Sequence, residues 1–240
     1  MSFVWRYTGS MTEQTNAHEA SAHRLEALPP EIVAALSAPV VSDSLDTVGV
    51  RDRVMAHDVV PLVVGQRIVG RARTVQFVPT ESDPADPYGS AIDFIDSLGA
   101  ASVAVIATGG DHRTAYWGEL FTAAAIGRGA AGAICDGPVR DSPRILNLGF
   151  PVFASGRRPI DFRARMRIAS VAEPVRCAGV LVAPGDLVIA DDDGVVVVPA
   201  AVEADVLGRA VARVTAERTV LAELLAGAGL REVWERWHVL

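Results

Sequence analysis

The sequence predicts an α/β protein in which a Val-rich sheet packs against helices of small residues, and three observations carry that prediction. Across residues 100–154, strand-like apolar runs alternate with helix-like runs in the order strand, helix, strand, helix, strand, the order that builds at least three neighbouring parallel strands. From Glu173 onward the runs shorten and are joined by Pro-Gly-Asp and Asp-Gly turns, which read as an antiparallel set and so as a second kind of sheet. Of the 240 residues 50% are hydrophobic but only 6% aromatic, so Ala and Val fill the core, as close helix-on-sheet packing requires. That length suits one large domain or a core domain with appendages.

Residues 1–25 are polar and without period and read as an extension, with Met11 an alternative start. The stretch LPPEIVAALSAPVVSDSLDTVG from Leu28 predicts a short helix opened by Pro29 and Pro30, then a second helix capped by Ser42 or Asp43 and closed by Gly49. VVPLV, a Gly65-Gln66 turn and RIVGRARTVQFVP follow; the last alternates at period two, a strand with one wet face. PTESDPADPYGS is a loop by composition, AIDFIDSLG an amphipathic helix ended by Gly99, and ASVAVIAT a buried strand. GGDHRTAYWGEL then reads as a Gly-rich turn running into a helix, where backbone N–H groups and the helix dipole can hold an anion. The strand AGAIC, the loop DGPVRD, the helix SPRILNLG and the strand PVFA complete the alternating part. A long helix over 201–225 is stopped by Gly227 and Gly229, and REVWERWHVL forms a last helix whose Trp234 and Trp237 anchor to their own core or to a neighbouring subunit.

Composition excludes several functions. A net charge of −7 and a pI near 5.2 argue against a general nucleic-acid binder or an anionic membrane surface. The interrupted basic run Arg157, Arg158, Arg163, Arg165 and Arg167 reads as a solvated or subunit-facing surface. No segment reaches the apolar length that spans a bilayer, so a cytoplasmic protein is expected. Cys135 and Cys177 lie far apart with no zinc spacing and read as buried reduced thiols. Gly127, Gly129 and Gly132 spell GxGxxG but follow a helix and enter a strand, the reverse of a dinucleotide fingerprint, so a helix C-cap is the better reading. Asp191, Asp192, Asp193 and Gly194 lack the ligand spacing of a calcium loop and read as a hairpin turn, with one acid free to face an active site. None of the five histidines pairs at metal-ligand spacing; His112, beside the Gly-rich turn, is near enough to touch substrate, but a lone loop histidine is more often merely solvated.

One constellation does carry chemistry. Glu119 follows a glycine at a helix N-terminus, and twenty residues later Arg140 and Asp141 end a loop after a strand. Both loops fall at the carboxyl ends of adjacent strands, where open α/β sheets gather ligands. Two carboxylates can hold a divalent cation and order its waters, while a guanidinium grips a carboxylate or oxyanion. A structural ion-pair network is the alternative.

GGDHRTAYWGEL, the glycines of GRGAAGAICDGPVRD, PVFASG and PGDLVIADDDGVVVVP closely resemble the RraA-like family, which includes the 4-hydroxy-4-methyl-2-oxoglutarate aldolases; the likeness runs from about Ser42 to the C-terminus. The resemblance implies a three-layer α/β/β sandwich like a swivelling phosphohistidine-type domain over 26–200, a subunit-packing helical tail over 201–240, and a homotrimer or hexamer with sites between subunits. It implies class II aldolase chemistry with Mg2+ or Mn2+ on a small 2-oxo acid, releasing pyruvate, and oxaloacetate decarboxylation at the same site. Asp141 is then the metal ligand and Arg140 the substrate-binding residue. The backbone of Gly118, Glu119, Leu120 and Phe121 receives the pyruvyl carboxylate, Glu119 orders metal-bound water, and Glu217 is matched to an acid that a neighbouring subunit contributes. The family's aldolases carry Asp where this chain has Glu119, which favours a water-mediated role. Two other functions stay open: a non-catalytic regulator of a ribonuclease, and a lyase or hydratase on another sugar-acid intermediate, the choice lying with loop 79–90 and residues 112–117.

Overall fold

The structure, a computed structural model, describes residues 28–239; the predicted extension over 1–25 lies outside them. Helices α1 (Pro30–Ala35) and α2 (Ala38–Thr47) come first. Helix α2 starts earlier than the sequence suggested. Its cap is Ser37, whose hydroxyl accepts from the Val40 N–H at 3.4 Å, and the Asp191 carboxylate accepts the Ala38 N–H at 2.7 Å. Ser42 and Asp43 are therefore interior: Pro39, within the first turn, needs no N–H partner and does not break the helix.

The strands are β1 (Val60–Pro61), β2 (Ile68–Pro79), β3 (Ser102–Ala107), β4 (Gly132–Val139), β5 (Val152–Arg157), β6 (Met166–Val171), β7 (Val175–Cys177), β8 (Val180–Val182), β9 (Leu187–Asp191) and β10 (Gly194–Val198). Between them run α3 (Gly89–Asp96), α4 (Glu119–Gly127) and α5 (Ser142–Asn147), and the chain ends in α6 (Glu203–Leu225) and α7 (Leu230–Trp237). The parallel set is β2-β3-β4-β5. The expected second sheet is instead largely part of the first: β9 and β10 join it through β2, and only β7 and β8 stand apart as a two-stranded ribbon. The reason is the length of β2. Along one edge its first residues pair with β9 and its last, from Val75 across a register shift at Gln76/Phe77, pair with β6, while the other edge pairs with β3.

The sheet is nearly closed into a barrel-like shape, and residues 53–61 do the closing. Met55 N–H donates to the Val195 carbonyl and Val197 N–H to the Arg53 carbonyl, each at 2.9 Å, while Val60 and Pro61 pair with Ala154 and Phe153. One short segment thus covers both open edges, which removes the unpaired backbone that edge strands expose.

Period-two alternation sorts the side chains into layers. From β3, Ala104 and Ile106 face α3–α5, where Phe94, Ile95, Trp117 and Ile145 complete one core cluster. Val103, Val105 and Ala107 face the opposite way, onto Val175, Val182, Val188, Val195 and Val197. That is the α/β/β order the family resemblance implied. A further helical layer lies outside it, with Leu187, Ile189, Val196 and Val198 covered by Leu45 of α2 and by Val206, Ala210 and Val214 of α6. A buried bidentate pair between Arg71 of β2 and Glu203 of α6 joins this layer to the sheet.

Both cysteines are free and fully buried, and burial pushes both thiols well above their ordinary range. The GxGxxG segment is the expected C-cap: Gly129 adopts φ +76°, and its N–H donates to the Ile126 carbonyl at 2.9 Å. The Asp-rich turn is structural. Asp191 caps α2 and Asp192 accepts the Gly65 N–H at 2.8 Å, so neither acid is spare for a site. Among the described residues no helix is long and apolar enough to cross a membrane.

Candidate active site at the start of helix α4

Two local features of the chain build the site. The first is the turn into α4. Trp117 is buried, its indole N–H donates to the Thr122 hydroxyl at 2.8 Å, and that hydroxyl donates to the Gly118 carbonyl at 3.0 Å. Gly118 is extended, with φ −161°, so its identity is a matter of space: a Cβ there would lie 2.8 Å from the Asp141 carboxylate and 3.2 Å from Cγ of Arg140. Only a glycine lets those two side chains lie against the N-terminus of α4.

The second feature is the end of β4, which runs to Val139, so the predicted loop DGPVRD is strand for four of its six residues. Strand pairing with β5 resumes after an irregularity, Val139 facing Arg157, which sets Arg140 and Asp141 at the strand's end. The Arg140 N–H donates to the Trp117 carbonyl at 2.9 Å and pins the two loops together. Asp141 stands at the N-cap of α5 in a left-handed conformation, φ 58° and ψ 27°, but its side chain makes no capping hydrogen bond to that helix. Such a backbone costs on the order of 1 kcal/mol outside glycine. It turns the carboxylate across to α4, where Oδ2 accepts the Glu119 N–H at 3.3 Å.

These residues line a cleft of about 680 Å³. Tyr88, Tyr116, Trp117, Phe121 and Phe162 give it an apolar wall, and Glu119, Arg140, Asp141, Arg144 and Asp161 supply the charge. Gly118, Leu120 and Phe121 line it too, so the sequence-predicted set from Gly118 to Asp141 is brought together; of loop 79–90 and residues 112–117, Tyr88 and residues 115–117 line the pocket. Two further expectations fare differently. Glu217 lies on α6, where Arg213 Nε donates to it at 2.7 Å, and is not among the cleft residues of its own chain. His112 is not a cleft residue either; its Nδ1 sits 3.5 Å from the Ser155 hydroxyl.

The structure adds three residues the sequence did not single out. Asp161 accepts from Arg140 NH1 at 2.6 Å, from the Tyr88 hydroxyl at 3.1 Å and from the Arg163 N–H at 2.8 Å, so it fixes the guanidinium. Burial, reinforced by the bond to Asp161, raises the Tyr88 hydroxyl above its ordinary pKa. Arg144 NH1 donates to Glu119 at 2.9 Å across the rim. Asp161 was hidden because it stands among the arginines of a run that reads as surface; a parallel bridge between Ala115 and Asp161 carries it into the cleft.

Fold and site together define an α/β protein that presents two guanidiniums, three carboxylates and a helix N-terminus at the carboxyl ends of parallel strands. The chain belongs to the RraA-like family (Aldolase/RraA), whose profile matches residues 38–197. It is 30% identical over 195 residues to the protein DlpA of Legionella pneumophila, covering 81% of this chain but only 31% of that protein's length. It is 33% identical over 173 residues to a Halalkalibacterium halodurans protein provisionally named 4-hydroxy-4-methyl-2-oxoglutarate aldolase, covering 71% of this chain and 76% of that one. Among solved structures it resembles Streptomyces coelicolor RraAS2, described as an unusual member of the RNase ES inhibitor RraA family, with a TM-score of 0.70, 30% identity, and coverage of 80% and 96%.

Proposed function

We propose that the protein is a divalent-metal-dependent lyase that cleaves a 4-hydroxy-2-oxo acid to pyruvate, and that it decarboxylates oxaloacetate at the same site. The observation that carries this reading is the Asp141 carboxylate, turned from its own helix toward the start of α4 beside Arg140. A structural cap would face α5; this carboxylate faces the cleft.

The donor set fits a hard cation that keeps most of its water. Asp141 is 40% exposed and receives one hydrogen bond, while Glu119 is shared with Arg144. Among the described residues no three acids, histidines or cysteines converge. Mg2+ and Mn2+ accept such sites, being held through one or two carboxylates with several waters retained. Asp141 would hold the ion directly, Glu119 would order its water, and Glu217 of a neighbouring copy in a homotrimer or hexamer is the proposed further acid. When bound, the cation would supply electron withdrawal from the 2-oxo acid.

The chain's own groups do the rest. The N–H groups of Leu120 and Phe121, in the first turn of α4, receive the substrate carboxylate with the helix dipole behind them. Arg140, held by Asp161, places its positive charge where the enolate oxygen develops as the bond beyond the α-carbon breaks. Water ordered by Glu119 is the candidate to take the 4-hydroxyl proton. The wall of Trp117, Phe121 and Phe162 limits water around the enolate.

The test is pyruvate release from 4-hydroxy-4-methyl-2-oxoglutarate and from oxaloacetate, with Mg2+, with Mn2+ and with EDTA, for wild type beside Asp141→Ala. Metal-dependent release that the variant loses supports the lyase. Equal release by both proteins removes Asp141 from the site, and no release from either substrate moves the reading to another oxo acid. A second reading, a protein that regulates a ribonuclease, rests on the likeness to RraAS2; ribonuclease inhibition that survives Asp141→Ala would favour it.

A further inference from the structure

The two acids assigned to the cation are held by different means. Asp141 is fixed by backbone: its left-handed φ of 58° turns the carboxylate across to α4, and its Oδ2 accepts the Glu119 N–H at 3.3 Å. Glu119 is held by a side chain. Its Oε2 accepts from Arg144 NH1 at 2.9 Å, an ion pair that runs from the first residue of α4 to the third of α5 across the rim of the cleft, which both residues line.

Arg144 differs from Arg140 in how it is anchored. The Arg140 backbone is tied to Trp117 and its guanidinium to Asp161. Among the described residues the Arg144 guanidinium makes no hydrogen bond other than the one to Glu119, and its side chain is 69% exposed. That bond first, then the charges of Glu119 and Asp141, raise the guanidinium above its ordinary pKa, so one loosely anchored cation acts on both acids. An exposed ion pair contributes little and exchanges partners readily. While it lasts, it neutralises the carboxylate that a second cation would use, and the two positive charges repel.

We propose that Arg144 competes with a divalent cation for the Glu119 carboxylate and so sets how tightly the cation is held. This rests on the metal-dependent reading and adds a positioning residue to it, one that acts on the cation through Glu119. Reach makes the pairing possible, since an aspartate at 119 would fall one methylene short of the guanidinium. Affinity is lowered in favour of exchange: a cation that must displace Arg144 is held less tightly than one that meets bare carboxylates.

The experiment reads metal binding, apart from cleavage. Mn2+ is titrated into wild type, Arg144→Gln, Arg144→Lys, Glu119→Gln and the Glu119→Gln/Arg144→Gln double variant, and the free ion is followed by its electron paramagnetic resonance signal at one pH and ionic strength. Arg144→Gln is expected to bind Mn2+ about two- to fivefold more tightly, the range an exposed ion pair covers, and Arg144→Lys, which keeps the charge, to bind it like wild type. In the Glu119→Gln background, removing Arg144 should leave affinity unchanged, because the competition passes through that carboxylate. Weaker or equal binding by Arg144→Gln overturns the proposal, and so does Arg144→Lys matching Arg144→Gln. The same gain with and without the Glu119 carboxylate also overturns it and makes Arg144 a charge acting directly on Asp141. Mn2+ bound by none of the proteins defeats the metal-dependent reading and the competition with it; Mn2+ bound by wild type with no gain in Arg144→Gln defeats the competition alone.

Discussion

Asp161 shows what one carboxylate contributes to a site it does not define. It accepts from Arg140, Tyr88 and the Arg163 backbone at once, and a hydrogen bond between charged groups contributes about 1.5–3 kcal/mol. On the proposed lyase reading, Asp161→Asn should lower kcat/KM for pyruvate release about 10- to 100-fold, mainly through kcat, because the loosened guanidinium fails where charge develops. An unchanged kcat with a raised KM would show that Asp161 serves binding alone. Asp186 is a second case, away from the site. Burial raises its carboxyl to about 6, although the Ala183 and Ala200 N–H groups at 2.9 and 3.2 Å favour the anion. With the folded pKa above the unfolded one, its contribution is fully present below about pH 4 and is lost as pH rises through about 6. The loss is about 3 kcal/mol, and urea titrations from pH 4 to 7 should show it in wild type. In Asp186→Asn, which keeps one of the two acceptors, stability should be lower at pH 4 and nearly flat across that range. Arg140, Asp141 and Glu119 were legible as residues because complementary charges fell at two strand ends. Asp161 and Asp186 were not, since their roles depend on contacts across the fold.

At the scale of elements, the start of α4 decides the site. Gly118→Ala would drive a methyl group into the Asp141 carboxylate and the Arg140 side chain, so one of them must move. The expected outcome is a folded protein with an ordinary circular dichroism spectrum and, on the proposed metal-dependent reading, at least a tenfold loss of Mg2+ or substrate affinity. Gly127→Ala, at the other end of the same helix, meets nothing within 4 Å at an ordinary φ, and should raise stability by about 0.5–1 kcal/mol without touching affinity. Equal behaviour of the two variants would show that the contact at Gly118 is unimportant. The helices and the period-two strands could be read from sequence because each is a local pattern. The extension of β4 through Asp136-Gly137-Pro138-Val139 could not, since glycine and proline there signal a turn. The neighbouring β5 overrides that signal by pairing with Pro138 and Val139.

At the scale of the whole molecule, α6 belongs to the fold. Its Val206, Ala210 and Val214 cover Leu187, Ile189, Val196 and Val198, and Glu203, 1% exposed, pairs with Arg71 of β2, 17% exposed. Removing one partner of a buried pair typically costs about 3–5 kcal/mol, so Glu203→Leu should lower the urea midpoint by that equivalent. Deletion of residues 201–240 should yield an insoluble chain; a soluble, cooperatively folded product would show that β9 and β10 need no cover. The sequence marked this helix by its spacing but not its destination, because the apolar stripe says that a face is buried and not against which partner.

The strand on which the sheet turns also sets a timetable. β2 is synthesised early, yet the edge formed by its first residues waits for β9, which lies beyond all the parallel strands in the chain. On the ribosome the nascent sheet therefore carries an open apolar border until β9, near the start of the last quarter of the chain, has emerged. That border is the kind of surface that chaperones cover and that joins stalled chains to one another. The closure of the main sheet, which joins residues 53–61 to β10, is thus a late event in the protein's making.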